Sequence, residues 1–161
     1  YKDQWYLFYH HNDFSPEFDK NRSARVDSLF FNPDGTIQKV TPTFRGVGIT
    51  DAGKEIQIDR YSALSDKGAA IDFLNNAHKF EGWKTILTEN KAWVQYNRVD
   101  FGKAKQKKMT LKVSSSTGAT VQLRLDGQNN SAAAEVKIPK NNSWAVITEP
   151  VKNLSAGVHD I

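Results

Sequence analysis

The chain has no cysteine among its 161 residues. This absence excludes a disulfide scaffold, a thiolate metal site and a cysteine nucleophile, although it leaves the cellular compartment open. No apolar run approaches the roughly 20 residues that a membrane-spanning helix requires, so we expect no contact with a membrane through such a helix. The sequence also begins at Tyr1 without a basic stretch that leads into an apolar one. A signal peptide is therefore expected to be either absent or already removed.

Neither sign of charge dominates, since 22 Lys and Arg stand against 18 Asp and Glu, which gives a net charge of +4. Basic residues concentrate at one place, which contains Lys103, Lys105, Lys107 and Lys108. No aromatic residue is interleaved with these lysines, and this favours a solvated loop over a patch for stacking nucleic-acid bases. We therefore expect no nucleic-acid partner.

Helical periodicity is weak, whereas short stretches of alternating apolar and polar residues recur between turn residues. This pattern is typical of an all-β protein, and nine Phe, five Tyr and four Trp can supply its core. Residues 26–40 predict a hairpin, because Asn32-Pro33-Asp34-Gly35 is a tight-turn sequence. Further strands, whose spacing suggests a β-sandwich, are predicted at residues 5–9, 56–59, 93–99, 109–113, 121–125, 134–138 and 145–148. The segment from Gly68 to His78 could form a short helix or a long loop, and we favour the loop.

The alternation breaks at residues 41–48, which predicts a domain boundary between about residues 46 and 54. Residues 1–48 would supply at most about four strands, too few to close a core alone, so they need a partner surface. The alternation at the C-terminus suggests a strand that is only beginning at Ile161. We therefore expect the chain to be a fragment of a larger protein.

The first segment resembles the end of the catalytic domain of glycoside hydrolase family 43. Enzymes of this family are five-bladed β-propellers that remove arabinose or xylose from plant polysaccharides. The residues that carry the resemblance are Tyr6-Leu7-Phe8-Tyr9-His10, Arg22-Ser23, Val26-Asp27, Leu29, Asn32-x-Asp34-Gly35-Thr36-Ile37 and Val40.

The second segment is similar to a family 6 carbohydrate-binding module, which is a jelly-roll β-sandwich. The matching residues are Ile56-Gln57-Ile58-Asp59-x-Tyr61-Ser62, Trp93-Val94-Gln95-Tyr96-Asn97-x-Val99-x-Phe101-Gly102, Val121-x-Leu123-Arg124-Leu125-Asp126, Trp144 and Gly157-Val158-His159-Asp160. The order of the two segments matches the known pairing of such an enzyme with such a module.

The resemblance implies that residues 1–48 are the last-blade segment of an incomplete propeller, 49–54 a linker and 55–161 a binding sandwich without its C-terminal strand. It implies a secreted parent, extracellular or periplasmic, of the α-L-arabinofuranosidase or β-xylosidase type. Its partners would be xylan or arabinoxylan and the rest of the propeller. The family 43 catalytic acids lie upstream of the matching residues, so we expect no catalytic residue in this chain.

Trp144 matches one of the two aromatic residues between which such modules hold a sugar ring. Leu87 stands at the other position, where the family usually has Tyr, so half of the aromatic clamp is replaced. Trp83 is a candidate substitute for the lost aromatic wall. The alternatives remain that Trp144 packs inward, and that the sandwich orients the propeller without binding sugar.

Gln57 and Asp59 match positions at which two acidic side chains help to hold a structural Ca²⁺ in similar modules. On a strand they would point to the same side. Because Gln57 is neutral, an ordinary polar strand face is the alternative to a calcium site.

His10 matches the axial histidine of the propeller, and Arg22 matches an arginine near its substrate pocket. Both would then lie at the periphery of the parent's active site. Without the family, a core or rim histidine and an arginine in a loop salt bridge are the simpler interpretations.

Overall fold

The computed structural model describes residues 1–13, 17, 23–104 and 106–161. These residues form an all-β structure, as predicted, with one short 3-10 helix at Lys79–Glu81. They divide into two compact units, one of Tyr1–Gly48 with Gln57–Tyr96 and one of Ile49–Ile56 with Asn97–Ile161. The strands are β1 (Trp5–His11), β2 (Ser23–Leu29), β3 (Thr50–Asp51), β4 (Ala63–Leu64), β5 (Ala69–Phe73), β6 (Trp83–Leu87), β7 (Val94–Gln95), β8 (Val99–Asp100), β9 (Lys108–Ser115), β10 (Ala119–Arg124), β11 (Ala132–Ile138), β12 (Asn141–Pro150) and β13 (Val158–His159).

The first unit begins with an antiparallel pair, in which β1 and β2 are in register from Trp5 opposite Leu29 to His11 opposite Ser23. Every second residue of β2 is buried, and these residues are Arg25, Asp27 and Leu29. A sheet face with an arginine and an aspartate among its buried residues requires partners for both charges.

The hairpin predicted at residues 26–40 is present only in part. Its turn forms, with Gly35 at φ +83° and the Asn32 amide donating to the Thr36 carbonyl over 2.8 Å. Asp34 also accepts hydrogen bonds from the backbone amide and the hydroxyl of Thr36. The predicted returning strand is reduced to a single bridge between Phe31 and Ile37. Both side chains are exposed, so the pairing is not stabilised by burial of apolar side chains.

The rest of the first unit contains two further antiparallel pairs, β4 with β7 and β5 with β6. The prediction of a loop over Gly68–His78 is wrong, because Ala69–Phe73 forms strand β5 along the whole of β6. Alanines at both 69 and 70 hide the alternation in the sequence. The 3-10 helix lies in the connection between these two strands.

The second unit contains the longest strand pair, β9 with β12, together with β10 paired to β11 and a small sheet in the order β13, β8, β3. The alternation predicted for β11 is confirmed, since Ala134, Val136 and Ile138 are buried while Glu135 and Lys137 are exposed. The other buried apolar residues of this unit are Val99, Phe101, Leu125 and Ala133.

Of two further predicted strands, one is not formed and the other is divided. Residues 56–59 form a turn, in which the Arg60 amide donates to the Gln57 carbonyl over 3.1 Å. The strand predicted at 93–99 is divided into β7 and β8 because Arg98 has φ +58°, which a strand cannot contain.

The predicted linker at 49–54 contains β3, which pairs in parallel with β8. The predicted domain boundaries stay a prediction. No helix in the described ranges is long and apolar enough to span a bilayer.

Candidate functional site

Trp144 is held on β12 where that strand bulges away from β9. Asn141 is opposite Ser115, but Ala145 is already opposite Val113, so three residues of β12 face one of β9. The side chain of Trp144 is 45% exposed, and its neighbours Asn142 and Ser143 are exposed as well. The indole therefore lies at the surface and not in the buried core, as a stacking platform for a sugar must. Its contact with sugar stays a prediction.

The exposed residues of β9 and β12 beyond Trp144 combine apolar and hydrogen-bonding groups. Val146 is 69% exposed and lies opposite Lys112, which is exposed too. One step further, the hydroxyls of Thr110 and Thr148 are 3.0 Å apart. Such a surface offers an aromatic plane together with donors and acceptors, which is the combination that ring stacking and hydroxyl recognition need. Sequence reasoning missed Thr110, Lys112 and Thr148, although they alternate with apolar residues.

Trp83 begins β6 and belongs to the first unit, whereas Trp144 belongs to the second. Its half-buried ring stacks on Phe73, with centroids 4.2 Å apart and planes at 24°. The ammonium of Lys79 lies 5.1 Å from the centroid of the Phe73 ring. Leu87, at the other end of β6, is 44% exposed. One face of the Trp83 indole is thus occupied by a protein ring, and its role as a substitute sugar wall stays a prediction.

Gln57 and Asp59 do not lie on a strand, so the prediction that both side chains point to the same side of a strand is wrong. Gln57 is exposed in the turn, and Asp59 is half-buried. Burial lowers the pKa of Arg25 below its ordinary value, and the charge of Asp59 acts against this shift. Calcium prefers six to eight oxygen ligands. Within the described part of the chain, no three His, Asp or Glu residues are grouped where they could hold a metal ion, and the calcium site expected at Gln57 and Asp59 stays a prediction.

His10 lies exposed on β1, opposite Ala24. Arg22, the other residue predicted at the periphery of the parent's active site, lies outside the described residues. His11 is half-buried, as expected from the alternating sides of a strand. The predicted role of His10 and Arg22 stays a prediction.

A buried carboxylate, that of Asp27, anchors a polar network that sequence reasoning missed. It accepts hydrogen bonds from the Tyr9 hydroxyl, from the Thr43 amide over 3.1 Å and from the Thr43 hydroxyl over 2.5 Å. Burial, together with the Asp27 carboxylate, raises the pKa of Tyr9 to about 12. Three protein donors thus occupy Asp27, which fits a structural role and not that of a catalytic acid or base.

Arg25, two residues earlier on the same face, connects several side chains of the first unit. Its Nε donates to Nε2 of His11, and its Nη1 donates to the Phe44 carbonyl over 3.4 Å. Its guanidinium lies 5.2 Å from the centroid of the Phe44 ring. Burial, and then the Arg25 charge, lower the pKa of His11, which agrees with an unprotonated Nε2 that accepts from arginine. In the sequence, this network is indicated only by the spacing of Arg25, Asp27 and Leu29, which places all three on one face of a strand.

Residues 65–161 match the family described as carbohydrate binding module (family 6). The chain belongs to this family. The resemblance predicted from the sequence is thereby confirmed for the sandwich part of the chain.

Similarity to a larger enzyme extends over the whole chain. The arabinoxylan arabinofuranohydrolase of Bacillus subtilis (strain 168) is 25% identical over 178 aligned positions, which cover 100% of this chain and 33% of that protein. The chain thus spans about a third of the length of this curated relative. The predicted similarity to glycoside hydrolases of this type is confirmed.

Two solved structures share the fold. One is a glycoside hydrolase family 43 arabinoxylan arabinofuranohydrolase from Bacillus subtilis in complex with cellotetraose, with a TM-score of 0.66, 20% identity and coverage of 99% of this chain and 34% of that one. The other is CsCBM6-3 from Clostridium stercorarium in complex with cellobiose, with a TM-score of 0.61, 21% identity and coverage of 70% and 84%. The predicted sandwich fold is confirmed.

Proposed function

We propose that this chain is the polysaccharide-binding part of a secreted family 43 glycoside hydrolase that removes arabinose from arabinoxylan. Membership in a carbohydrate-binding family supports the binding role. The name of the curated relative, an arabinoxylan arabinofuranohydrolase, supports the proposed substrate of the parent. The observation that carries the binding role is the 45% exposed indole of Trp144 on a strand of the matched region.

In the proposed mechanism, Trp144 stacks on the apolar face of a sugar ring. Lys112 and the hydroxyls of Thr110 and Thr148, further along the same two strands, form hydrogen bonds with hydroxyl groups of the saccharide. The stacking contact contributes about 0.5 to 1.5 kcal/mol beyond buried area, so one module binds weakly, near millimolar, or about −4 kcal/mol. Weak binding suffices, because tethering raises the local concentration of an attached enzyme on its polymer. The chain supplies attachment, and the upstream propeller supplies the chemistry.

The exposed apolar residues of the N-terminal segment support the rest of the propeller as the second partner. Trp5 and Phe31, whose ring centroids lie 5.6 Å apart, are 66% and 42% exposed, and Ile37, which forms a bridge with Phe31, is 60% exposed. Large exposed apolar patches mark interaction surfaces. The parent's remaining propeller blades would cover them.

The proposal is tested by electrophoresis of the chain through native gels that contain arabinoxylan, unsubstituted xylan or a soluble β-glucan. Retardation by the xylans supports the proposed ligand, and retardation by the glucan alone assigns the module to glucans. Trp144→Ala should reduce the retardation, since binding should be roughly five-fold weaker. Trp5→Ala is the matched control, because it removes an exposed tryptophan from strand β1, outside the residues matched to the family.

A second candidate function is a sandwich that orients the propeller without gripping sugar. Leu87 favours it, because this exposed aliphatic residue stands where the family usually has an aromatic one. It predicts no retardation by any plant polysaccharide, while circular dichroism shows the fold intact.

A further inference from the structure

Two of the sequence blocks that carry the family resemblance meet in the second unit, and the binding role does not account for them. The amide of Asp126 donates to the Asp160 carbonyl over 2.8 Å, and the amide of Asp160 donates back to Asp126 Oδ1 over 3.0 Å. The other carboxylate oxygen, Oδ2, lies 2.6 Å from Nδ1 of His159. The turn after β10 is thus bonded at three points to β13 and the residue that follows it.

The second ring nitrogen of His159 is engaged as well. Its Nε2 lies 3.0 Å from the Ser155 hydroxyl and 3.1 Å from the Ala156 carbonyl. A carboxylate and a carbonyl can only accept hydrogen bonds. Both nitrogens must therefore carry protons for every contact to form, which makes the bonded ring an imidazolium.

The same three side chains have the composition of a Ser-His-Asp triad, but their bonding differs from that of a nucleophile site. In a triad, Nε2 is unprotonated and takes the serine proton. When the ring is doubly protonated, Nε2 donates towards the Ala156 carbonyl, and the Ser155 hydroxyl accepts from the ring instead of donating to it. The arrangement is suited to fastening a strand.

We propose that His159 and Asp126 form a proton-dependent clamp that fastens β13 to the turn after β10, and that releases this strand in alkaline solution. The strand has few other attachments. It is two residues long and pairs with β8, which is equally short. Backbone hydrogen bonds between Phe101, Gly102 and Gly157 extend this pairing.

Of the carboxylates near the His159 ring, Asp126 is the one bonded to it. Oδ1 of Asp160 accepts a hydrogen bond from the backbone amide of Arg98, and Oδ1 of Asp100 on β8 accepts one from the amide of Gly102. The ring of Phe101 lies 6.1 Å away, centroid to centroid. The hydrogen bond to Asp126 raises the pKa of His159 above its ordinary value, and the same bond lowers the pKa of Asp126.

These directions define when the clamp holds. A raised histidine pKa stabilises the fold below the unfolded value of about 6.5, and this contribution is lost as the pH rises through the folded pKa. A lowered aspartate pKa stabilises above about 3.9, and this contribution is lost as the pH falls through the folded pKa. The clamp is complete in mildly acidic solution.

The test follows the His159 ring by NMR during a pH titration of the 161-residue chain, with hydrogen exchange at the Asp160 amide and melting temperatures at pH 6 and pH 8.5. We expect a His159 pKa above 6.5, faster exchange at pH 8.5 than intrinsic rates explain, and a melting temperature that falls by roughly 2 °C. Asp126→Asn should lower the His159 pKa. His159→Gln should remove the fall in melting temperature and leave only the rise that the lowered His11 pKa contributes over the same pH range. His78→Gln, at an exposed histidine of the first unit, should leave both the His159 pKa and the fall in melting temperature unchanged.

A His159 pKa at or below 6.5 in the unmodified chain would overturn the clamp. The same conclusion follows if His159→Gln keeps the full pH dependence. If either variant fails to fold, the titration of the unmodified chain decides alone.

Discussion

The ring of Phe44 stacks on the ring of Tyr61, with centroids 5.2 Å apart and planes at 21°. Arg25 covers the Phe44 ring in turn. Phe44 belongs to the segment predicted to be a propeller blade, whereas Tyr61 belongs to the predicted binding sandwich. Both nevertheless lie in the same compact unit. The N-terminal segment therefore has part of the partner surface that its few strands require.

Phe44→Ala should destabilise the chain by about 2 kcal/mol, because it removes a half-buried ring that contacts both Arg25 and Tyr61. Urea unfolding measures the loss. The control is Phe80→Ala, since Phe80 is fully exposed and its removal should change stability by less than about 0.5 kcal/mol. Equal effects of the two substitutions would contradict the role given to Phe44.

Asp27→Ala should cost about 2 to 3 kcal/mol, because it leaves the Tyr9 hydroxyl and the donors of Thr43 without their partner. The same unfolding measurement applies. Asp66→Ala, at an exposed turn residue, is the matched control and should be nearly neutral. If Asp27→Ala were equally mild, the buried network would not contribute to stability.

If Gln57 and Asp59 are an ordinary polar surface, calcium should leave the melting temperature of the chain unchanged, because the neutral Gln57 lies in a turn and adds no carboxylate to that of Asp59. Thermal unfolding with millimolar calcium, and then with a chelator, measures this. A rise with calcium that Asp59→Asn abolishes would establish the site that the family resemblance predicts.

The isolated chain should not hydrolyse arabinoxylan or nitrophenyl glycosides, because glycosidase chemistry needs an acid and base pair flanking the bond. The carboxylate of Asp27 is occupied by three donors from Tyr9 and Thr43. Release of arabinose is the readout. Turnover above background that survives Asp27→Asn would place catalytic acids elsewhere in this chain.

Much of the second unit could be predicted from the sequence, because its strands bury one face. Val136 and Ile138 are buried while Lys137 between them is exposed, and this contrast is what alternation reports. Strand β5 could not be predicted in this way, since adjacent alanines carry no such contrast. The break at Arg98 could not be predicted either, because no turn residue marks it; its positive φ occurs where its amide donates to Asp160, which is 62 residues away in the sequence.

The candidate site was predictable only where local sequence determines exposure. Trp144 follows two polar residues, and its exposure agrees with that setting. The Arg25 network depends on the pairing of β1 with β2, which brings His11 and Arg25 together. The sequence pattern predicts strands but does not predict which of them pair.

The most direct test of the proposed binding role is a titration of xylo-oligosaccharides into Trp144→Ala, together with its melting temperature. If the exposed indole stacks on sugar, the loss of about 1 kcal/mol should weaken binding roughly five-fold and leave the melting temperature nearly unchanged. Trp5→Ala should bind as the unmodified chain does. Unchanged binding by Trp144→Ala, or a fall in stability of about 3 to 5 kcal/mol as expected for a core residue, would contradict the account.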